Sequence, residues 1–218
     1  MIVVVGLPAY ADSPDCEECA GGLAVQVAAA AKSRGGEVEL VGKIGDDGAG
    51  DAVVVALGRL GIGHAALLRD PARPTPVLTV AAAGDDAAEV DAEMPEARLL
   101  PESPDARPAL EAADVELALR YLPQAGVIVL ADTLLESAVV AGAEGADFAA
   151  ARLIVLLPAG ATPPAVPAGA IVLEAPPEDN GSFGRLVGLF AGALDAGVEP
   201  AAAFKEAVAA TGWEPIAD

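Results

Sequence analysis

Two places in the chain put glycine at the start of an apolar segment, as a ligand-binding backbone requires. Gly21 and Gly22 precede the alanine-rich run 23–34, and Gly181, Ser182, Phe183 and Gly184 open the apolar run 182–196. Without a Cβ the backbone can approach a ligand closely, and the unpaired amides of a first helical turn meet a hydroxyl or an anion. The implied chemistry is recognition of a hydroxyl or phosphate group, although a glycine ahead of a helix also serves simply to make the turn. Between these two places lies Gly45-Asp46-Asp47-Gly48. Adjacent carboxylates are one way to do acid–base work. Asp47, however, directly precedes an apolar helical pattern, where a carboxylate caps exposed amides, while Gly45 and Gly48 shape the turn. Neither aspartate is assigned a catalytic role.

Few other residues have the chemistry for a site. Cys16 and Cys19 form a single CEEC, and His64 is the only histidine, so one subunit has too few soft ligands for structural zinc. A pair of ordinary loop thiols is the main reading, a redox or metal role the minor one, and no metal centre is expected. His64, in GIGHAAL, reads as the start of a strand. Any Ser-His-Asp chemistry would have to use it without a local motif.

The chain has 218 residues, room for one large α/β domain or a domain with a small appendage. Its hydrophobic fraction is 54% but its aromatic fraction only 3%, so the core is built from small and branched side chains. Twelve basic against thirty-three acidic residues give a net charge of -21. That field repels nucleic acid and anionic membranes, and any phosphate site has to rest on local features such as a helix N-terminus. The opening MIVVVG has no basic flank and reads as a first strand, from which a cytoplasmic location is expected. The uncharged run 153–173 has the length of a membrane span. Pro158, Pro163, Pro164 and Pro167 would break such a helix, and two buried strands joined by a proline-rich link fit better.

Apolar runs alternate with amphipathic segments, the pattern of βαβ units and a parallel sheet. Strands are expected at 2–5, 38–41, 127–130, 153–157 and 170–173. Helices are expected at 23–34, 47–60, 109–122, 134–151, 182–196 and 200–211. From 73 to 100 the character changes to a β-rich run, a GDD turn and a second acidic run, which reads as an inserted hairpin.

GGLAVQVAAAAKSRGGEVELVGKIGDDGAG, over 21–50, resembles the first signature of the ribokinase (PfkB) carbohydrate kinases. EDNGSFG, over 178–184, stands where that family has an Asp-Thr-Thr-Gly-Ala-Gly-Asp turn opening a helix. The resemblance implies an α/β three-layer sandwich over 1–218, with a mostly parallel sheet and a β lid at about 73–100. It implies ATP-dependent phosphoryl transfer to a sugar or nucleoside, with Mg, and a homodimer whose lids clasp. Carried over residue by residue, it makes Gly21, Gly22, Gln26 (asparagine in the family) and Asp12 substrate-binding, with Asp12 at an unmatched spacing from Gly6. Gly181, Ser182, Phe183 and Gly184 become the anion hole, and Phe183 would stand in the phosphate's path. The family's catalytic aspartate falls on Gly184, so no catalytic residue is assigned; Glu178 and Asp179 both precede the helix and would approach from a different direction. The family's Asn-x-x-Glu segment and adenine-binding strands have no counterpart after Pro158. The resemblance therefore implies either an impaired kinase or a noncatalytic binding protein on the same scaffold.

Overall fold

The computed structural model describes residues 1–12, 20–79, 106–132, 134–176 and 181–213. Cys16, Cys19, Glu178, Asp179 and most of the expected lid lie outside the described residues. In chain order the elements are strands β1 Ile2–Val5, β2 Ala9–Asp12 and β3 Ala20–Gly21, helix α1 Leu23–Ser33, strand β4 Val38–Gly45, helix α2 Gly48–Arg59, strands β5 Leu67–Asp70 and β6 Val77–Thr79, and helix α3 Ala112–Tyr121. They continue with strand β7 Val127–Leu130, helix α4 Glu136–Phe148, strands β8 Arg152–Leu157 and β9 Ile171–Glu174, and helices α5 Ser182–Asp195 and α6 Pro200–Thr211.

The main sheet has the order β5-β4-β1-β7-β8-β9, and every neighbouring pair is parallel. Strands covered on both faces read as continuous apolar runs, and the central β1 (IVVV) and β7 (VIVL) are buried throughout. Ile2 and Val4 face one core with Val27, Leu57, Phe190 and Ala203, which brings α1, α2, α5 and α6 to that side. Val3 and Val5 face a second core with Val115, Leu119 and Val139 from α3 and α4. The result is three layers, helices on both faces of a parallel sheet.

The expected helices and central strands are present, with ends shifted by a few residues. The strand expected at 38–41 runs on to Gly45, because β5 extends the ladder by pairing Gly42 with Leu67 through Gly45 with Asp70. Residues 153–173 form two strands, and no described helix is long and apolar enough to cross a membrane. Strands β2, β3 and β6 make a second sheet in the order β3-β2-β6. There β6 runs parallel to β2, pairing Tyr10 with Val77, so the segment expected to begin a local hairpin joins strands that precede α1.

The GDDG turn is built as a cap. Asp47 accepts from the Gly50 amide (2.8 Å), the Thr75 amide (2.8 Å) and the Thr75 hydroxyl (2.7 Å), while the Thr75 oxygen accepts from the Gly45 amide (2.9 Å). Of the two flanking glycines only Gly45 is sterically required, since an added Cβ would lie 2.5 Å from the Thr75 amide nitrogen and nothing lies near one at Gly48. Burial alone would raise the Asp47 pKa, but the Thr75 and Gly50 hydrogen bonds and the Arg69 charge outweigh it and lower the value. A lowered pKa means the carboxylate stabilises the fold above its unfolded value near 3.9 and loses that contribution as pH falls. Asp47→Ala leaves the donors of buried Thr75 and Gly50 unpaired and is expected to cost about 2 kcal/mol at neutral pH in urea denaturation. The difference from the parent protein should shrink in acid; an unchanged midpoint at pH 7 would remove Asp47 from this role.

Candidate active-site cleft

In open parallel sheets, ligands bind outside the carboxyl ends of the strands where the strand order reverses. Here the chain moves outward from β1 through β4 to β5, then returns and moves the other way from β7 to β9. The reversal falls between β1 and β7. Leu7, just past β1, donates its amide to Asp132 Oδ2 at 2.7 Å, just past β7. Gly6 permits this, since an added Cβ would stand 2.4 Å from that oxygen and 2.7 Å from the Ala24 Cβ in the first turn of α1. Burial pushes the Asp132 pKa up to about 6, against the opposing pull of the Leu7 amide and the Arg107 charge.

The two opening glycines have different duties. Gly22 caps α1 with φ 93°, a left-handed backbone value that disfavours other residues, and it borders the Leu7 carbonyl. Gly21 is instead a packing glycine within the small sheet, its added Cβ falling 2.9 Å from Leu78 Cδ1 of β6. Gly181 opens α5 with φ 89°. One turn into α1, Gln26 reaches the same place, with Nε2 3.4 Å from an added Cβ at Gly181. The tertiary structure thus gathers Gly22, Gln26 and Gly181 at the carboxyl end of the sheet, where Asp132 also lies.

Other expected site residues are placed differently. Asp12 is exposed at the end of β2, in register with Thr79. Ser182 is half-buried in the first turn of α5. Phe183 is 2% exposed and packs in the core with Leu186 and Val187, so its ring is directed into the core, contrary to the position expected in a phosphate's path. Gly184 is buried against α1, where an added Cβ would lie 2.7 Å from Gln26 Oε1 and 2.8 Å from Gln26 Cβ. It begins a stripe with Gly188 and Gly192 that lets α5 lie directly on α1. Asp132 was not singled out from the sequence; its available signal was a carboxylate immediately after the apolar run VIVLA. Among the described residues, no group of three or more His, Cys, Asp or Glu could hold a metal ion.

No protein-family model matches the sequence, and neither does any curated protein. Solved structures do match in architecture. Putative Ribokinase II from E. coli, in complex with ATP and Mg²⁺, superposes with a TM-score of 0.62 at 13% identity, covering 96% of this chain and 91% of its own. The fold is ribokinase-like. Aminoimidazole riboside kinase from Salmonella enterica gives a TM-score of 0.51 at 19% identity over 72% of this chain and 49% of its own. This chain therefore spans about half of that kinase. The protein Sa239 gives 0.68 at 14% identity, covering 99% and 95%. The chain passes from β8 to β9 through 158–170 without a helix.

Proposed function

We propose that this chain is a ribokinase-like binding protein for a sugar or nucleoside in which phosphoryl transfer is impaired or lost. One observation carries the reading: position 184, where the family resemblance puts the general base, points into the α1–α5 contact and has no room for a side chain. A carboxylate there would have to displace Gln26, and loss of a general base lowers a rate by about 10²–10⁴. The ligand side offers the Gln26 amide, the backbone near Gly22 and the Asp132 carboxylate to hydroxyl groups, with Asp12 on the adjoining small sheet. E. coli Ribokinase II is in complex with ATP and Mg²⁺; in this chain no three metal-binding side chains converge among the described residues, and Gln26 lies against the opening of α5, where the family resemblance puts the phosphate cradle.

Thermal-shift measurements test this directly: a sugar or nucleoside from a broad panel should stabilise the protein while Mg-ATP does not. Strong stabilisation by Mg-ATP would overturn the reading. Gly184→Asp should lower stability by about 2 kcal/mol, from overpacking against α1, and yield no ATP-dependent product. A variant that gained phosphorylation would show that the position faces substrate.

A reduced kinase is the second reading, favoured by Asp132. Its carboxylate sits in the same crevice with its pKa raised to about 6, suited to accept a proton near neutral pH. Incubation with ATP, magnesium and the same panel tests it, and no product above background retires it.

A further inference from the structure

Among the described residues, five of the nine exposed large apolar side chains (Leu117, Tyr121, Leu135, Val140 and Phe148) lie on α3, on α4 or at the entry to α4. Phe148 is 83% and Tyr121 77% exposed, in a chain whose aromatic content is only 3%. Between the two helices runs a groove of about 390 Å³, with Leu119, Ala141 and Gly145 as its floor and Phe148 beside them. Gly145 allows the close helix approach, since an added Cβ would stand 2.3 Å from Leu119 Cδ1. Exposed Glu116 and Glu144 line the groove, and Glu111, Glu136 and Asp147 are further exposed acids on or beside the same two helices. Arg120 is the basic side chain of the pair of helices, and it already faces Glu116 at 3.7 Å.

We propose that this face docks a cationic amphipathic helix of a partner protein. A groove between two helices accepts a third helix through apolar anchors one turn apart. Here Phe148, with Leu119 and Ala141 beneath, would seat the apolar stripe, and Glu116 and Glu144 on either side would meet its lysines or arginines. Charge decides the occupant. A second copy would bring another surface of net charge -21, and the chain's own residues 80–105 contain eight acids and one arginine. Both are repelled by an acidic rim, whereas a basic helix is attracted and steered.

The probe is a labelled synthetic helix with leucines along one face and lysines on the other, titrated into the full chain by fluorescence anisotropy. Binding is expected to weaken at least tenfold in Phe148→Asp. It should be unchanged in Val55→Asp, which adds the same charge at an exposed apolar position of α2. Raising the salt concentration should weaken binding to the parent protein. Equal affinity of the parent and Phe148→Asp proteins would reduce the effect to general acidity and overturn the proposal, as would no binding at all. A dimer dissociated by Phe148→Asp would assign the face to a second copy and also overturn it.

Discussion

Gly188→Ala is expected to lower the free energy of unfolding by about 3 kcal/mol, near the upper end for overpacking a well-filled site. The added methyl would fall 2.3 Å from the Val27 carbonyl oxygen and 2.8 Å from the Ala31 amide nitrogen. Both are backbone atoms of α1, so relief requires α5 to move away as a unit. That separation also withdraws Gly181 from Gln26, and ligand-induced stabilisation should fall with stability. Gly192 is more forgiving, because its nearest atom is Cδ of the flexible Arg34 at 2.7 Å. The same substitution at Gly58 in α2 is the control. The nearest atom there is His64 Cε1 at 3.9 Å, and helix propensity alone should raise stability by up to about 1 kcal/mol. Urea denaturation of the two variants should therefore move in opposite directions; matching shifts would mean that α5 does not lie on α1 as described.

Asp132→Asn should stabilise the protein at pH 7 while weakening its ligand. The carboxyl has its pKa raised to about 6 from 3.8, chiefly by burial. A raised value means that the folded state prefers the protonated form. Its contribution is fully present below the unfolded pKa and is lost as pH rises through about 6. At about 1.4 kcal/mol per pKa unit, this corresponds to about 3 kcal/mol at pH 7. Asparagine keeps an oxygen for the Leu7 amide but removes the buried charge. Melts between pH 4 and 7.5 should show the parent protein losing stability across this window relative to the variant. Coincident curves would show that the carboxylate is solvated and removes it from the crevice. Stability gained with affinity lost is the pattern expected where a ligand site holds an unfavourably buried charge.

The sheet was legible because its central strands need apolar side chains on both faces. IVVV and VIVL contain no other kind, and the amphipathic segments between them have no comparable place in an antiparallel sheet. The helix cap at Asp47 was legible for a related reason, since a carboxylate just before a helix meets amides on the same stretch of chain. Its second duty was not, because Thr75 arrives through tertiary folding from a different segment. The small sheet was read only in part, since β2 and β6 pair across α1, β4, α2 and β5, and short strands carry little periodicity of their own.

The glycines separate the two kinds of information most clearly. Sequence by itself determined that Gly22 and Gly181 open helices, because a glycine ahead of an apolar run acts on its own backbone, and the left-handed φ at both follows from that local role. It also determined the parallel α/β class and the strong negative charge, which are properties of pattern and composition. Only the tertiary structure decided that Gly21 packs on Leu78, that Gly184 faces Gln26, that Phe183 turns into the core and that Asp132 meets Leu7. Each of these depends on how closely two distant segments approach, and that distance is set by the packing of whole helices and strands rather than by the residues on either side in the chain.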